Sequence, residues 1–273
     1  MAAPIGVFDS GYGGLTILKA LQKQLPEYDY IYLGDNARAP YGTRSFETVY
    51  EYTLEAVKWF FDQGCELVIL ACNTASAKAL RNIQQLDLPT LAPNKRVLGV
   101  IRPSSEVLGN YSSSKHVGVM GTSGTVQSES YLLEMAKFFP EVKVFQQACP
   151  MWVPIIENGE FDGEGADFFV KKYLDQLFAQ SSQIDAVLLA CTHYPLLEAK
   201  IKAYAPKGVK FIAQGDIVAQ SLALYLENHP EMAQKCSKNG QISFFTTDNE
   251  QVFEQQGSLF FGQKIAAKHT DLA

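Results

Sequence analysis

The sequence predicts an α/β fold, two pseudo-symmetric open-sheet α/β domains with the active site in the cleft between them. Three internal echoes predict it. The segment Glu66-Leu-Val-Ile-Leu-Ala-Cys-Asn-Thr74 returns as Asp185-Ala-Val-Leu-Leu-Ala-Cys-Thr-His193. Ile5-Gly-Val-Phe-Asp-Ser10 returns as Val117-Gly-Val-Met-Gly-Thr122, and Asp29 to Leu33 resembles Glu141 to Phe145. Residues 72 and 191 lie 119 positions apart, while residues 5 and 117, and 29 and 141, lie 112 apart. Three echoes in one order suggest two related halves. Their continuous apolar runs of strand length suit parallel strands buried on both faces.

A chain of 273 residues has room for two ordinary domains, each with a core. With 47% hydrophobic and 19% charged residues it reads as globular rather than disordered. The net charge of -6 comes with no basic patch, so nucleic acid is not an expected partner. No apolar run approaches the ~20 residues of a membrane helix. The chain opens Met1-Ala-Ala-Pro4 and enters a strand at once, so neither a membrane nor a signal peptide is expected. Five cysteines (Cys65, Cys72, Cys149, Cys191, Cys236) form an odd set without Cys-x-x-Cys spacing. That argues against a disulfide framework or a zinc site and for a reducing, cytoplasmic setting.

In chain order, Ile5 to Phe8 is a strand and Asp9-Ser-Gly-Tyr-Gly-Gly14 a turn into a helix over 15–24, closed by Pro26. The turn lacks the third small residue of a dinucleotide fingerprint and the Gly-Lys-Ser/Thr of a phosphate loop, so it is weak evidence for a nucleotide. Its bland reading is a tight turn with Asp9 capping the helix. Residues 28–33 form the next strand. A polar loop follows, in which Asp35 and Arg38 suggest an exposed ion pair of little energetic weight. Backbone amides near Tyr41 and Gly42 could hold a carboxylate there. A helix over 45–63, capped by Ser45 or Thr43, leads to the first cysteine strand.

Helical sequence from Ala75 places Cys72 at a strand-to-helix junction, where a helix N-terminus would favour its thiolate. The bland alternative is a small buried core residue. A strand over 97–101 and a helix near 104–108 precede the second half. There the reading gives a helix near 128–138, a loop over 148–154, a helix ending near Ala179, and the second cysteine strand. His193 alternates with Cys191, so both can face one site. Glu157 is a candidate cleft carboxylate. Cys65 and Cys149 read as structural, and Cys236 as incidental. A strand over 209–213, a helix over 216–226, a strand over 241–246 and a helix over 249–261 complete the chain. The expected division is 1–97 plus 209–273 for a discontinuous first domain and 98–208 for the second.

Two cysteines at equivalent strand ends would face each other across the cleft, where open α/β sheets bind ligands. A carbanion held between them could lose a proton to one thiolate and gain one from the opposite thiol. That inverts a stereocentre using an acid and a base of one type, and needs no cofactor. Asp9 near Cys72 and His193 near Cys191 are the natural helpers.

Val7-Phe-Asp-Ser-Gly-Tyr-Gly-Gly-Leu15, Asp35-Asn-Ala-Arg-Ala-Pro-Tyr-Gly42, Ala71-Cys-Asn-Thr-Ala75, Gly121-Thr-Ser-Gly-Thr125 and Ala190-Cys-Thr-His-Tyr-Pro195 together resemble the glutamate racemase family. The resemblance implies cofactor-independent interconversion of L- and D-glutamate for peptidoglycan, in two α/β domains and commonly a homodimer. It implies Cys72 as base toward the D-enantiomer and Cys191 toward the L-enantiomer. Asp9, Ser10, Tyr41, Gly42, Asn73, Thr74, Thr192 and His193 match substrate-holding positions, with Thr122 an additional contact. One segment departs from the pattern: Ala213-Gln-Gly-Asp216 stands where the family more usually has Asp followed by Ser or Pro. The chain also lacks the N-terminal extension of members regulated by a cell-wall precursor, so that regulation is not expected. An aspartate racemase is the nearest rival, a cysteine hydrolase with one nucleophile a second, and a non-catalytic amino-acid binding module a third.

Overall fold

Short apolar runs alternating with helical sequence produce parallel strands joined by crossovers. The structure, a computed structural model, describes residues 2–272. Its strands are β1 (Ile5–Asp9), β2 (Tyr30–Gly34), β3 (Leu67–Leu70), β4 (Arg96–Gly99), β5 (His116–Gly121), β6 (Lys143–Ala148), β7 (Ala186–Ala190), β8 (Lys210–Ile212), β9 (Ile242–Thr246) and β10 (Ala267–His269). Six pair in the order β10-β9-β2-β1-β3-β4 and four in the order β6-β5-β7-β8. Every pairing is parallel.

The order β2-β1-β3-β4 recurs as β6-β5-β7-β8, so the two halves share one topology. Gly6 faces Val68 and Gly118 faces Val187, which matches the echoes of β1 and β3 residue for residue. The third echo is corrected. Gly6 faces Ile31 while Gly118 faces Phe145, so Ile31 corresponds to Phe145 rather than to residue 143. Strand side chains alternate with a period of two, so a two-residue slip preserves the apolar pattern and escapes detection in sequence.

The expected return to the first domain at residue 209 also needs correction. Lys210 to Ile212 pair with Ala186 to Leu188 in the second sheet, where β8 takes the place that β4 holds beside β3. The chain returns only with the helix Gly215–Asn228, which packs on the helix Leu15–Gln24. On the outward crossing β4 belongs to the first sheet up to Gly99, and the chain passes into the next helix at Val100. The short helix Trp152–Glu157 and strand β10 carried no periodicity and were not expected. Ser45 caps the helix Phe46–Asp62, accepting from Thr48 N at 3.1 Å.

Alternate residues of each central strand enter different cores. Ile5, Val7 and Ile69 share one apolar cluster with Met120, Val187 and Leu189 of the other sheet, which joins the domains. Phe8, Val68 and Leu70 pack on the far face of the first sheet, and Val119, Leu188 and Ala190 on that of the second. Among the described residues no helix is long and apolar enough to cross a membrane.

The equivalent glycines of β1 and β5 mark the tightest strand–helix approach. A Cβ on Gly6 would lie 2.6 Å from the Phe60 ring, and one on Gly118 2.9 Å from Leu177. Gly6→Ala and Gly118→Ala should each destabilise the fold by about 1–3 kcal/mol through overpacking, read as a lower urea midpoint at unchanged m.

Candidate active site

The site forms where β3 and β7 end. Cys72 and Cys191 follow those strands and line one cavity of about 70 Å³ between the two domains. Ser10, Tyr41, Gly42, Asn73 and Thr74 line it from the first domain, and Thr122, Thr192 and His193 from the second. Of the candidate catalytic and substrate-holding residues read from the sequence, Asp9 alone is not on its wall. It lies beneath, 1% exposed, where its Oδ2 accepts from Gly11 N at 3.1 Å and its Oδ1 from Thr192 Oγ1 at 3.5 Å. It caps no helix; it fastens the turn after β1 to the end of the second cysteine strand. Burial pushes its carboxyl above the ordinary range, and the nearby His193 and two backbone amides partly offset that.

The two sulfurs have different company. Cys72 is the N-cap of the helix Asn73–Lys78, accepting from Ala75 N at 3.5 Å and lying 3.5 Å from Ser10 Oγ. The expected bias toward thiolate is overturned here. Burial, then the charge of Asp9, pushes the Cys72 thiol up to about 12 against the help of those two donors. Desolvation outweighs a six-residue helix, whose dipole is short. Cys191 Sγ lies 3.9 Å from His193 Nδ1, and His193 Nε2 lies 2.9 Å from Glu157 Oε1. Burial alone would depress this imidazole, but contact with Cys191 and Glu157 raises it to about 10. Glu157 therefore faces the site, held by the helix Trp152–Glu157, and keeps a cation beside the second sulfur.

The loop after β2 is more than an exposed ion pair. Asp35 is fully buried and accepts from Arg38 Nε at 2.7 Å, from Thr247 Oγ1 at 2.8 Å and from the Tyr41 hydroxyl. With its hydroxyl so engaged, Tyr41 fixes the backbone at Gly42 and Thr43 against the cavity. Thr74 Oγ1 and Thr122 Oγ1 meet at 2.9 Å across the cleft. The glycines after β1 serve close approach rather than an anion: a Cβ on Gly13 would lie 2.2 Å from Thr192 Oγ1 and 2.4 Å from His193 Nδ1.

Sequence reading missed Cys149, Pro150, Val153 and Pro154, which with Pro40, Thr43 and Ser123 complete the wall. Proline interruptions at 150 and 154 marked an irregular segment, yet nothing in the pattern aimed it at the cavity. The chemistry available is two buried thiols on opposite domains, one neutral beside a hydroxyl and one beside an imidazolium–carboxylate pair. Such an arrangement can move protons to and from two faces of one bound carbon.

Comparison with known proteins points the same way. The profile of the Asp/Glu/Hydantoin racemase family matches residues 14–222. A glutamate racemase of Ruegeria sp. is 42% identical over 271 residues, covering 96% of this chain and 97% of that relative. The solved glutamate racemase isoform of Bacillus anthracis superposes with a TM-score of 0.89 at 33% identity, covering 99% of this chain and 98% of the other. That of Francisella tularensis, in complex with D-glutamate, gives 0.88 at 33% identity with the same coverage.

Because the folded pKa of His193 lies above its ordinary 6.5, the stability its cation contributes is complete below about pH 6.5. It is lost as pH rises through about 10. Histidine ring NMR should show His193 still protonated at pH 8. In Glu157→Gln the midpoint should fall toward the ordinary value, since one of the two raising partners is gone.

Proposed function

The chain belongs to the Asp/Glu/Hydantoin racemase family, and from that membership we propose that it is a glutamate racemase, interconverting L- and D-glutamate by a two-thiol acid/base mechanism. The observation that carries the reading is that Cys72 and Cys191, on separate domains, line a single cavity. L-Glutamate bound there gives its α-proton to the Cys191 thiolate, for which His193 is the cationic neighbour. The carbanion takes the Cys72 proton on its other face. One C–H and one S–H bond break, one of each forms, and no electrons leave the substrate. The D-enantiomer runs the same path backward, so the Cys72 proton must leave before that direction can start.

Hydroxyls of Ser10, Thr74 and Thr122, with the backbone at Gly42, are the donors suited to the substrate carboxylates and to the charge developing at the α-carbon, whereas the Thr192 hydroxyl gives its proton to Asp9. Asn73 serves less directly, because its side-chain amide is engaged elsewhere. Asp9 acts through Gly11 and Thr192. The cavity of about 70 Å³ is far below the roughly 300–1,000 Å³ of ordinary ligand pockets, so the domains part to admit substrate and close around it. The setting that fits the family is a cytoplasmic enzyme, working as a homodimer and supplying D-glutamate for peptidoglycan.

Incubation of either glutamate enantiomer in D2O without added cofactor should bring optical rotation to zero and place deuterium at Cα. An optical rotation that never decays, with Cα left protiated, rejects the reading; decay with aspartate instead moves the specificity. Cys72→Ser and Cys191→Ser should each lower kcat about 10²- to 10⁴-fold, the range for loss of one acid/base group.

A further inference from the structure

Asn73, the residue after Cys72, does not spend its side chain on the cavity. Its Nδ2 donates to Gln214 Oε1 at 2.6 Å, Gln214 Nε2 donates to Tyr131 Oη at 2.8 Å, and Tyr131 Oη donates back to Asn73 Oδ1 at 2.6 Å. The three bonds close a ring with one consistent direction. Tyrosine has a single proton, which goes to Asn73, so it accepts from Gln214 and thereby orients both amides. Gln214 Nε2 also reaches Ser104 Oγ at 2.7 Å, and Ser104 Oγ donates to Val100 O at 2.8 Å. Asn73, Tyr131, Ser104 and Gln214 are all 3% exposed or less.

The anchors of this ring are what give it meaning. Val100 and Ser104 lie where the chain leaves the first domain, and Gln214 lies where it comes back. Tyr131 belongs to the helix Ser130–Phe138 of the second domain, and Asn73 opens the helix capped by Cys72. Both interdomain crossings and the second domain therefore converge on the residue bonded to the first catalytic cysteine. Gln214 also stands in Ala213-Gln-Gly-Asp216, the segment where the sequence departs from the resemblance.

We propose that Gln214 is a positioning residue for racemisation: through Asn73 it holds the Cys72 thiol at its working distance from a substrate seated against the second domain. The role rests on the racemase reading above. It acts on one of the two proton transfers, the one at Cys72, because the ring is tied to that helix and Cys191 is placed by β7, His193 and Glu157. A cross-link serving stability alone would affect both transfers alike.

The test is the primary α-deuterium isotope effect on kcat/KM, measured from each enantiomer for wild type and for Gln214→Met, which keeps volume and removes every polar atom. With the ring open, kcat should fall roughly 10- to 100-fold, as for a small misplacement of a reacting group. The isotope effect should rise for D-glutamate, whose proton goes to Cys72, and fall toward unity for L-glutamate. Equal isotope effects in the two directions, whatever the loss of rate, overturn the proposal. Should Q214M not fold, Tyr131→Phe, which deletes one oxygen of the ring, decides by the same comparison. Wild-type protein that racemises neither glutamate nor aspartate would fail the underlying reading instead, so the two failures are separable.

Discussion

In the proposed racemisation an acid and a base of the same kind must reach one carbon from opposite sides, and the architecture meets that requirement. A single parallel sheet presents its strand ends along one edge and addresses a bound ligand from one side. Two copies of β2-β1-β3-β4, turned so that their carboxyl edges meet, address it from two. The cysteine after β3 and the cysteine after β7 are then the same structural position used twice. The shared apolar cluster of Ile5, Val7, Met120 and Leu189 holds the copies together beside the site.

Duplication supplies opposed sulfurs, but not identical ones. Cys72 enters an α-helix directly, with Asp9 below and Ser10 beside it, and in that setting stays a neutral thiol. Cys191 is followed by two residues and the 3-10 turn Tyr194–Leu197, which leaves room for His193 to fold back toward the sulfur. The difference is useful. Were both sulfurs ionised in the closed site, two like charges would face each other across a cavity with little solvent to screen them. A neutral thiol at Cys72 and an imidazolium beside Cys191 suit the start of the proposed turnover from L-glutamate.

Much of this was legible in the chain because β1, β3, β5 and β7 are buried on both faces and read as unbroken apolar runs. The cysteines stood at the ends of two such runs, so their placement needed no tertiary information. Features set by packing between distant segments were harder to read. The slip in matching β2 to β6 arose because a period of two is blind to shifts of two. Strand β8 has three residues and one buried side chain, Ile212, too little pattern to say which sheet it joins. The burial of Asp35 depends on Thr247, more than two hundred residues away, and the partnership of His193 with Glu157 on a six-residue helix interrupted by Pro154. Desolvation of Cys72 is likewise a property of the closed cleft; sequence sees the helix end that favours the anion and not the burial that opposes it.

The contacts that order the site are mostly contacts between the domains. Thr74 meets Thr122, Asp9 receives Thr192, and Thr16 Oγ1 donates to Thr192 O at 3.0 Å. Gly13 admits His193 where no side chain would fit. In the proposed cycle, opening the cleft for substrate would break or loosen these together, separating the two sulfurs and wetting both. Closing restores them together. Assembly of the acid–base pair, exclusion of water from a carbanion and capture of the amino acid are then one motion. On the proposed mechanism the residues that govern that motion, including those at the two chain crossings, would set the alignment of the two cysteines.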